Sequence, residues 1–179
     1  MTPDPGDTAP LLDVAEVYRE HAPGLRRFAL YLSGSAATAD DLVSEAFFRL
    51  WTARERIVLS TLRAYLFAIV RNLFLQRRRS EWRRAPLGED YADHQPGPEE
   101  LVSDRNELRT VLAALGRLPE IDRAAVLMRA DGGLSYDDIA LTLGLSLGAA
   151  KVKVHRARLK LAEARVAAAG TARTEERKP

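Results

Sequence analysis

Residues 85–107 most constrain how this chain of 179 residues can fold. The segment contains three prolines and two glycines, and its seven acidic residues face a single arginine. Proline and glycine interrupt regular structure, and a segment with so few apolar residues cannot bury enough surface to offset its ordering entropy. The sequence therefore predicts a flexible acidic linker at 85–107, with one folded unit on each side.

The segments on both sides of the linker have the apolar spacing of α-helices. From about residue 11 to 84, and again from about 108 to 168, apolar residues recur every three or four positions. Alternating Val, Ile and Thr, the pattern of a half-buried strand, is absent. We predict an all-α protein of two small helical domains, 11–84 and 108–168, followed by a disordered tail at 169–179.

Composition excludes several classes of protein. The chain has no cysteine, and its three histidines are scattered, so we expect no disulfide, no metal site and no cofactor. No apolar run approaches the roughly 20 residues of a membrane span, and the acidic, Pro-rich first ten residues are unlike a signal peptide. We therefore expect a cytoplasmic protein without membrane insertion.

Residues 134–158 have the pattern of a helix-turn-helix, the motif that places one helix in the major groove of DNA. Ser135 and Asp138 match a capping box at the start of a first helix. Gly144 lies where that helix should end, at a position that favours a positive φ. Ser146 can then cap a second helix.

The second helix of this motif has a basic outer face. Its positions 150, 154, 157 and 161 are apolar at helical spacing and should face the core, which leaves Lys151, Val152, His155 and Arg156 outside. The alternative is a solvated basic helix that binds nothing. The candidate DNA-contacting residues of this domain are Ser135, Ser146, Lys151, Val152, Lys153, His155, Arg156 and Arg158.

A second basic cluster ends the amphipathic helix predicted from Leu62 onward. Six arginines lie between positions 71 and 84, with Phe74 and Trp82 among them. Guanidinium groups pair with phosphates, and aromatic rings stack on bases, so this composition suits a nucleic-acid strand. The alternative is a solvated helix end whose aromatics are core residues, which we favour for Phe74 alone.

Three stretches, in their order and spacing, resemble the extracytoplasmic-function (ECF) sigma factors, group IV of the sigma-70 family. Residues 40–51, DDLVSEAFFRLW, resemble the region 2 helix that docks on the clamp of RNA polymerase. Residues 62–73 resemble the helix that melts and reads the −10 element. Residues 118–158 resemble region 4, which reads the −35 element. The resemblance covers nearly the whole chain, from about 11 to 168.

This resemblance implies a promoter-specificity subunit rather than an enzyme. Such a protein binds the clamp and flap of core RNA polymerase, reads −10 and −35 elements in promoter DNA, and promotes strand opening. An anti-sigma factor is a further expected partner. For polymerase binding the implied residues are Asp40, Asp41, Glu45, Phe48, Arg49 and Trp51, and for the −10 element Arg71, Asn72, Gln76, Arg77, Arg78 and Arg79.

Among these, Asn72 takes the family position that helps receive a flipped non-template base. The alternative for Asn72 is a polar side chain that bonds a neighbouring loop, and for Asp41, Glu45 and Arg49 it is simple solvation. The chain also departs from the family. Members commonly carry Gly-Thr-Val-Lys-Ser-Arg where residues 148–153 read GAAKVK, so Val152 offers a methyl face that suits thymine.

Two other classes of protein can also contain a helix-turn-helix. If the chain is an ordinary helix-turn-helix regulator with an N-terminal dimerisation domain, we expect an apolar, self-complementary face on that domain. Asn72 and the arginine run at 77–79 argue against this hypothesis. A DNA-processing enzyme requires a nucleophile beside a base, or carboxylates at metal spacing, and the sequence has neither pattern.

Overall fold

The computed structural model describes residues 13–53, 61–84 and 106–175, with side chains described at 13–53, 61–84 and 109–167. Over these ranges the chain forms helices and no strand, which confirms the all-α prediction. The helices are α1 Val14–Ser33, α2 Ala36–Ala53, α3 Leu62–Arg84, α4 Asn106–Gly116, α5 Glu120–Ala130, α6 Tyr136–Leu143 and α7 Leu147–Glu175. Residues 85–105 of the predicted linker, and 54–60, lie outside the described residues.

Helices α1, α2 and α3 pack together as the first domain. Asp13 begins α1 by accepting hydrogen bonds from the N–H groups of Ala15 and Glu16, and Gly34, at φ +73°, ends it. Pro23 lies inside α1 without interrupting it. The fully buried side chains of this domain include Leu25, Phe28, Leu32, Leu50, Leu66 and Val70.

Helices α4 to α7 form the second domain, and α6 and α7 are the predicted helix-turn-helix. The capping box is confirmed: the Ser135 hydroxyl accepts from the Asp138 N–H at 3.0 Å, while the Ser135 N–H donates to the Asp138 carboxylate at 3.3 Å. Gly144 ends α6 at φ +65°, as predicted. Ala150, Val154 and Ala157 are fully buried, which confirms the predicted inner face of α7.

Two predicted boundaries differ from the structure. Helix α4 begins at Asn106, so the last two residues of the predicted linker are helical. Helix α7 continues to Glu175, whereas a disordered tail was predicted from residue 169. Alanine has the highest helix propensity of any residue type, so residues 167–169 continue the helix, and a helix that is already formed extends through Gly170 and Thr171 without a new nucleation step.

The two domains pack against each other, and their buried apolar residues form one contiguous core. Helix α3 packs on α6, and α1 packs on α5. At the junction, the Phe67 ring of α3 lies against Gly132, where an added Cβ would come within 2.8 Å of the ring. Phe67 also meets Phe28 edge-on, at 4.9 Å between ring centroids. Phe67 therefore joins the cores of both domains.

Candidate nucleic-acid interface

The outer face of α7 is open to solvent. Lys151, Val152, His155 and Arg156 are all exposed, as predicted, and so is Arg158. Val152 keeps 47% of its surface exposed even though it is apolar. The cations Lys151, Arg156 and Arg158 can pair with phosphates, and the exposed Val152 side chain can contact a thymine methyl.

The two serines predicted as DNA contacts act first as helix caps. The Ser146 hydroxyl accepts from the Ala149 N–H at 3.2 Å at the start of α7. The Ser135 hydroxyl belongs to the capping box of α6 and also donates to Asp138 at 2.7 Å. Both residues are exposed. Their structural role is to fix where the two helices of the motif begin.

Lys153 does not belong to the exposed face of α7. Its ammonium lies 2.7 Å from the Asp122 carboxylate of α5, and the two side chains are 31% and 12% exposed. The structure therefore pairs Lys153 with an acid of the same domain, and its role as a DNA contact stays a prediction. The spacing contained the signal, because position 153 is three residues after Ala150 and four before Ala157, both buried. Its partner Asp122 was missed, since nothing local indicates a pairing across 31 residues.

The second half of α3 presents a polar stripe. Asn72, Gln76, Arg79 and Arg83 are exposed and follow one another at helical spacing, so they share one face. Trp82 lies beside this stripe and is 72% exposed, whereas Phe74 is buried, as we favoured. An exposed amide, several guanidinium groups and an exposed indole ring are the kinds of group that bind a single strand.

Arg77 and Arg78, also predicted DNA contacts, are exposed at the edge of this stripe. Arg77 donates to Glu81 at 3.1 Å and to Asp41 of α2 at 3.2 Å. These carboxylates raise the pKa of Arg77 above its ordinary value, with the bond to Glu81 as the largest cause. Asp41, predicted as a polymerase contact, thus lies next to the basic end of α3.

Arg71 is the predicted −10 residue that the structure places elsewhere. Its guanidinium donates two hydrogen bonds to the Glu120 carboxylate of α5, both at 2.8 Å. The two side chains are only 13% and 14% exposed. In this arrangement Arg71 faces the second domain rather than solvent. The missed residue is Glu120, whose partner lies 49 residues away along the chain.

Exposed aromatic rings mark the surface of α1 and α2. Phe48 and Trp51, both predicted polymerase contacts, are 63% and 53% exposed and lie three residues apart on α2. Tyr18 of α1 is also half exposed, and its ring packs 4.7 Å from that of Phe47. We call Phe48 and Trp51 the aromatic patch. Tyr18 is not among the predicted contacts, and its exposed ring lies on the neighbouring helix.

The charged residues predicted for polymerase binding are paired on the surface. Arg26 of α1 holds the Asp40 carboxylate with two hydrogen bonds, of 2.6 and 3.2 Å. These bonds lower the pKa of Asp40 below its ordinary value. Arg49 donates to Glu45 one helical turn earlier, at 2.9 Å. Exposed pairs of this kind are readily exchanged for a partner's charges.

Over residues 13–53, 61–84 and 106–175, no three His, Asp or Glu side chains are arranged to hold a metal ion. In the same ranges, none of the helices combines the length and the apolar character needed to cross a membrane.

Two family descriptions match this chain. Sigma-70 region 2 matches residues 17–84, the first domain, and Sigma-70 region 4 matches residues 108–161, which cover most of the second. The two matches thus fall on the two helical domains that carry the exposed polar stripe of α3 and the basic face of α7.

Similar proteins include curated relatives and solved structures. The chain is 37% identical to the ECF RNA polymerase sigma factor SigE of Mycolicibacterium smegmatis, over 87% of this chain and 63% of that protein. It is 38% identical to the ECF RNA polymerase sigma factor EcfG of Rhodopseudomonas palustris, over 78% of this chain and 77% of that protein. Among structures, the sigma factor RpoE of Bartonella quintana, solved with the anti-sigma factor NepR, has a TM-score of 0.68 at 28% identity, covering 85% and 96% of the two chains.

Proposed function

Because the chain belongs to the ECF RNA polymerase sigma factors, we propose that it binds core RNA polymerase, directs it to promoters through −10 and −35 elements, and opens the DNA strands. The observation that carries the proposal is that each matched region has its own candidate DNA surface. These surfaces are the stripe of Asn72, Gln76, Arg79 and Arg83 on α3, and the outer face of α7. Two DNA surfaces on one chain fit a protein that binds two promoter elements.

The outer face of α7 reads the −35 element. Ser146 caps the start of α7, and the N-terminus of a helix favours a phosphate. Lys151 and Arg156 pair with phosphates or guanine edges, while Val152 contacts a thymine methyl. Family members commonly carry a serine at this position. Val152 cannot make the hydrogen bond of that hydroxyl, and it adds an apolar contact instead. We therefore expect a −35 preference that includes thymine at the position Val152 meets.

The stripe on α3 holds the melted −10 strand. Asn72 receives an extruded base, which costs roughly a few kcal/mol of stacking and pairing. The guanidinium groups of Arg79 and Arg83 pair with the strand's phosphates and offset that cost. Trp82, exposed beside them, provides a stacking surface.

The aromatic patch and the surface charges of α2 bind the polymerase clamp. Exposed aromatic residues are enriched at the centres of protein interfaces, and Phe48 and Trp51 are the open rings of α2. The second domain binds the flap. Since the relative RpoE was solved with an anti-sigma factor, we extend the proposal to an anti-sigma partner for this chain. The protein acts in the cytoplasm with the polymerase, which supplies the catalysis.

The experiment that tests this function is transcription in vitro with purified core polymerase and a genomic promoter library. The expected result is initiation at a set of promoters that share two sequence elements, and loss of initiation with the Phe48→Ala, Trp51→Ala double variant. Absence of initiation from every promoter contradicts the proposal. A stable homodimer that protects palindromic DNA and ignores core polymerase supports the rival, an ordinary helix-turn-helix regulator.

A further inference from the structure

An ion pair within the second domain joins the recognition helix α7 to α5. The Lys153 ammonium donates to a carboxylate oxygen of Asp122 at 2.7 Å, and the two side chains are 31% and 12% exposed. Lys153 follows Val152 directly and lies two residues before His155, so the pair is close to the outer face of α7. One residue turns an α-helix by about 100°, so Lys153 points to the side of α7 while its neighbours point outward.

The apolar contacts of α7 with its own domain are made by small side chains. Within residues 147–167 the fully buried side chains of α7 are Ala150, Val154 and Ala157, and Leu161 is partly buried. Apolar burial has no preferred direction, whereas a hydrogen bond weakens steeply when its angle changes. A short, mostly buried ion pair on one side of α7 therefore limits rotation about the helix axis more than the small apolar side chains do.

Asp122 is itself held in place. It lies in the first turn of α5, where the helix dipole favours a carboxylate, and its N–H donates to the Pro119 carbonyl at 2.9 Å. The next residue, Arg123, is 1% exposed and donates to the carbonyl of Gly116, the last residue of α4, at 3.3 Å. Because the start of α5 is tied to α4 in this way, Asp122 gives Lys153 a fixed point of attachment.

A small rotation of α7 displaces its outer side chains by more than base recognition tolerates. The side-chain surface of a helix lies about 5–6 Å from its axis, so a rotation of about 20° moves the Val152 or Arg156 side chain by about 2 Å. The donor–acceptor distance of a good hydrogen bond varies by only about 0.5 Å. The rotation of α7 therefore decides which base edges these side chains can meet.

We propose that Lys153 is a positioning residue for promoter reading, whose pair with Asp122 sets the rotation of α7 and thereby the discrimination between −35 sequences. The inference deepens the proposed function and rests on it. A residue that only stabilises the fold would leave the sequence preference unchanged when it is replaced. A residue that contacts a phosphate would instead raise the affinity for every sequence together with the salt dependence of binding.

The test removes the pair without leaving a buried charge. In the Asp122→Leu, Lys153→Met double variant, apolar side chains of similar size replace both partners, an exchange that is often nearly neutral for stability. Core polymerase carrying the full-length chain is titrated, at several salt concentrations, with a promoter selected by transcription in vitro and with variants of that promoter that change one −35 base pair. The double variant should lose about tenfold in discrimination at an unchanged salt slope. Lys153→Arg, which can keep the pair, should retain the discrimination, and so should Lys160→Met, the matched control that removes an exposed cation from the same helix.

A structural readout separates this inference from the proposed function. Residual dipolar couplings of the backbone amides in the free full-length chain measure the rotation of α7 relative to α5 without DNA or polymerase. We expect the same rotation in the original chain and in Lys153→Arg, and a changed or averaged rotation in the double variant. If that change is seen in a chain that supports no transcription, the positioning role is supported and the proposed function is contradicted.

Three results overturn the proposal. They are an unchanged rotation in the folded double variant, an unchanged discrimination between −35 sequences, and a salt slope reduced by about 1, which would make Lys153 a phosphate contact. Should the double variant fail to fold, the milder exchange Asp122→Asn, Lys153→Gln, which removes both charges and keeps polar side chains, serves the same comparison.

Discussion

The two candidate DNA surfaces differ in how far the folded chain leaves them open. The outer face of α7 is exposed, with Lys151, His155 and Arg156 in solvent. On α3, by contrast, Arg71 is buried against the other domain while Asn72, the next residue, is exposed. The α7 face is therefore open to solvent in the folded chain, whereas Arg71 on α3 is paired with Glu120 of the second domain.

The largest effect is expected at the residue that joins the two cores. Phe67→Ala removes a ring that is 3% exposed and packs against Phe28 and Gly132. We expect the free energy of unfolding to fall by about 3–5 kcal/mol, measured by urea titration. Phe48→Ala is the matched control: its ring is 63% exposed, so stability should change by about 0.5 kcal/mol or less while polymerase affinity falls. Equal losses of stability in the two variants contradict the packing.

A second prediction separates two neighbouring lysines of α7. Lys153→Met leaves the mostly buried Asp122 carboxylate without its partner and should destabilise the second domain by about 1–3 kcal/mol. Lys151→Met should leave the free energy of unfolding unchanged and weaken binding to −35 DNA. It should also reduce the slope of log affinity against log salt concentration by about 1, because one phosphate contact is lost. Thermal unfolding and salt titrations of DNA affinity measure the two effects. If Lys153→Met reduces the salt slope as much as Lys151→Met does, Lys153 is a DNA contact after all.

Sequence patterns predicted what is local in this molecule. The capping box of Ser135 and Asp138, the positive φ of Gly144 and the inner face of α7 all follow from spacing and side-chain chemistry within about ten residues. The all-helical fold follows in the same way.

The two ion pairs between the domains, Arg71 with Glu120 and Arg27 with Asp131, could not be predicted, because they join residues 49 and 104 positions apart. An arginine in a basic cluster has the same sequence signature whether it faces DNA or a carboxylate from another domain. For Arg71, only the three-dimensional packing of α3 on α5 decides between these environments. The extent of α7 differs from the prediction for another reason: residues 169–175 include Gly170, Thr171 and Thr174, which have low helix propensity, yet they continue a helix that is already nucleated.

A third prediction concerns sequence preference on the open face of α7. Val152→Ser replaces a half-exposed apolar side chain with a hydroxyl, so the contact with a thymine methyl is lost and a hydrogen bond becomes available. We expect discrimination at one −35 position to change by about 1–2 kcal/mol, with no change at the −10 element. A randomised-promoter selection with polymerase measures both elements at once. An unchanged −35 profile removes Val152 from the reading face.

The smallest effect is expected at the surface pair of Arg26 and Asp40, which is the exposed counterpart of the pair of Arg71 and Glu120. Arg26 bonds lower the pKa of Asp40 below its ordinary value of 3.8. The pair's contribution to stability is therefore present above about pH 3.8 and is lost as the pH falls through the lower folded value. Arg26→Gln should raise the Asp40 pKa toward 3.8, as measured by NMR titration of its carboxyl carbon, and Arg26→Lys should raise it less. If the pKa of Asp40 is the same in Arg26→Gln as in the original chain, the pairing is contradicted. The stability of both variants near neutral pH should stay close to that of the original chain, because both partners are exposed to water.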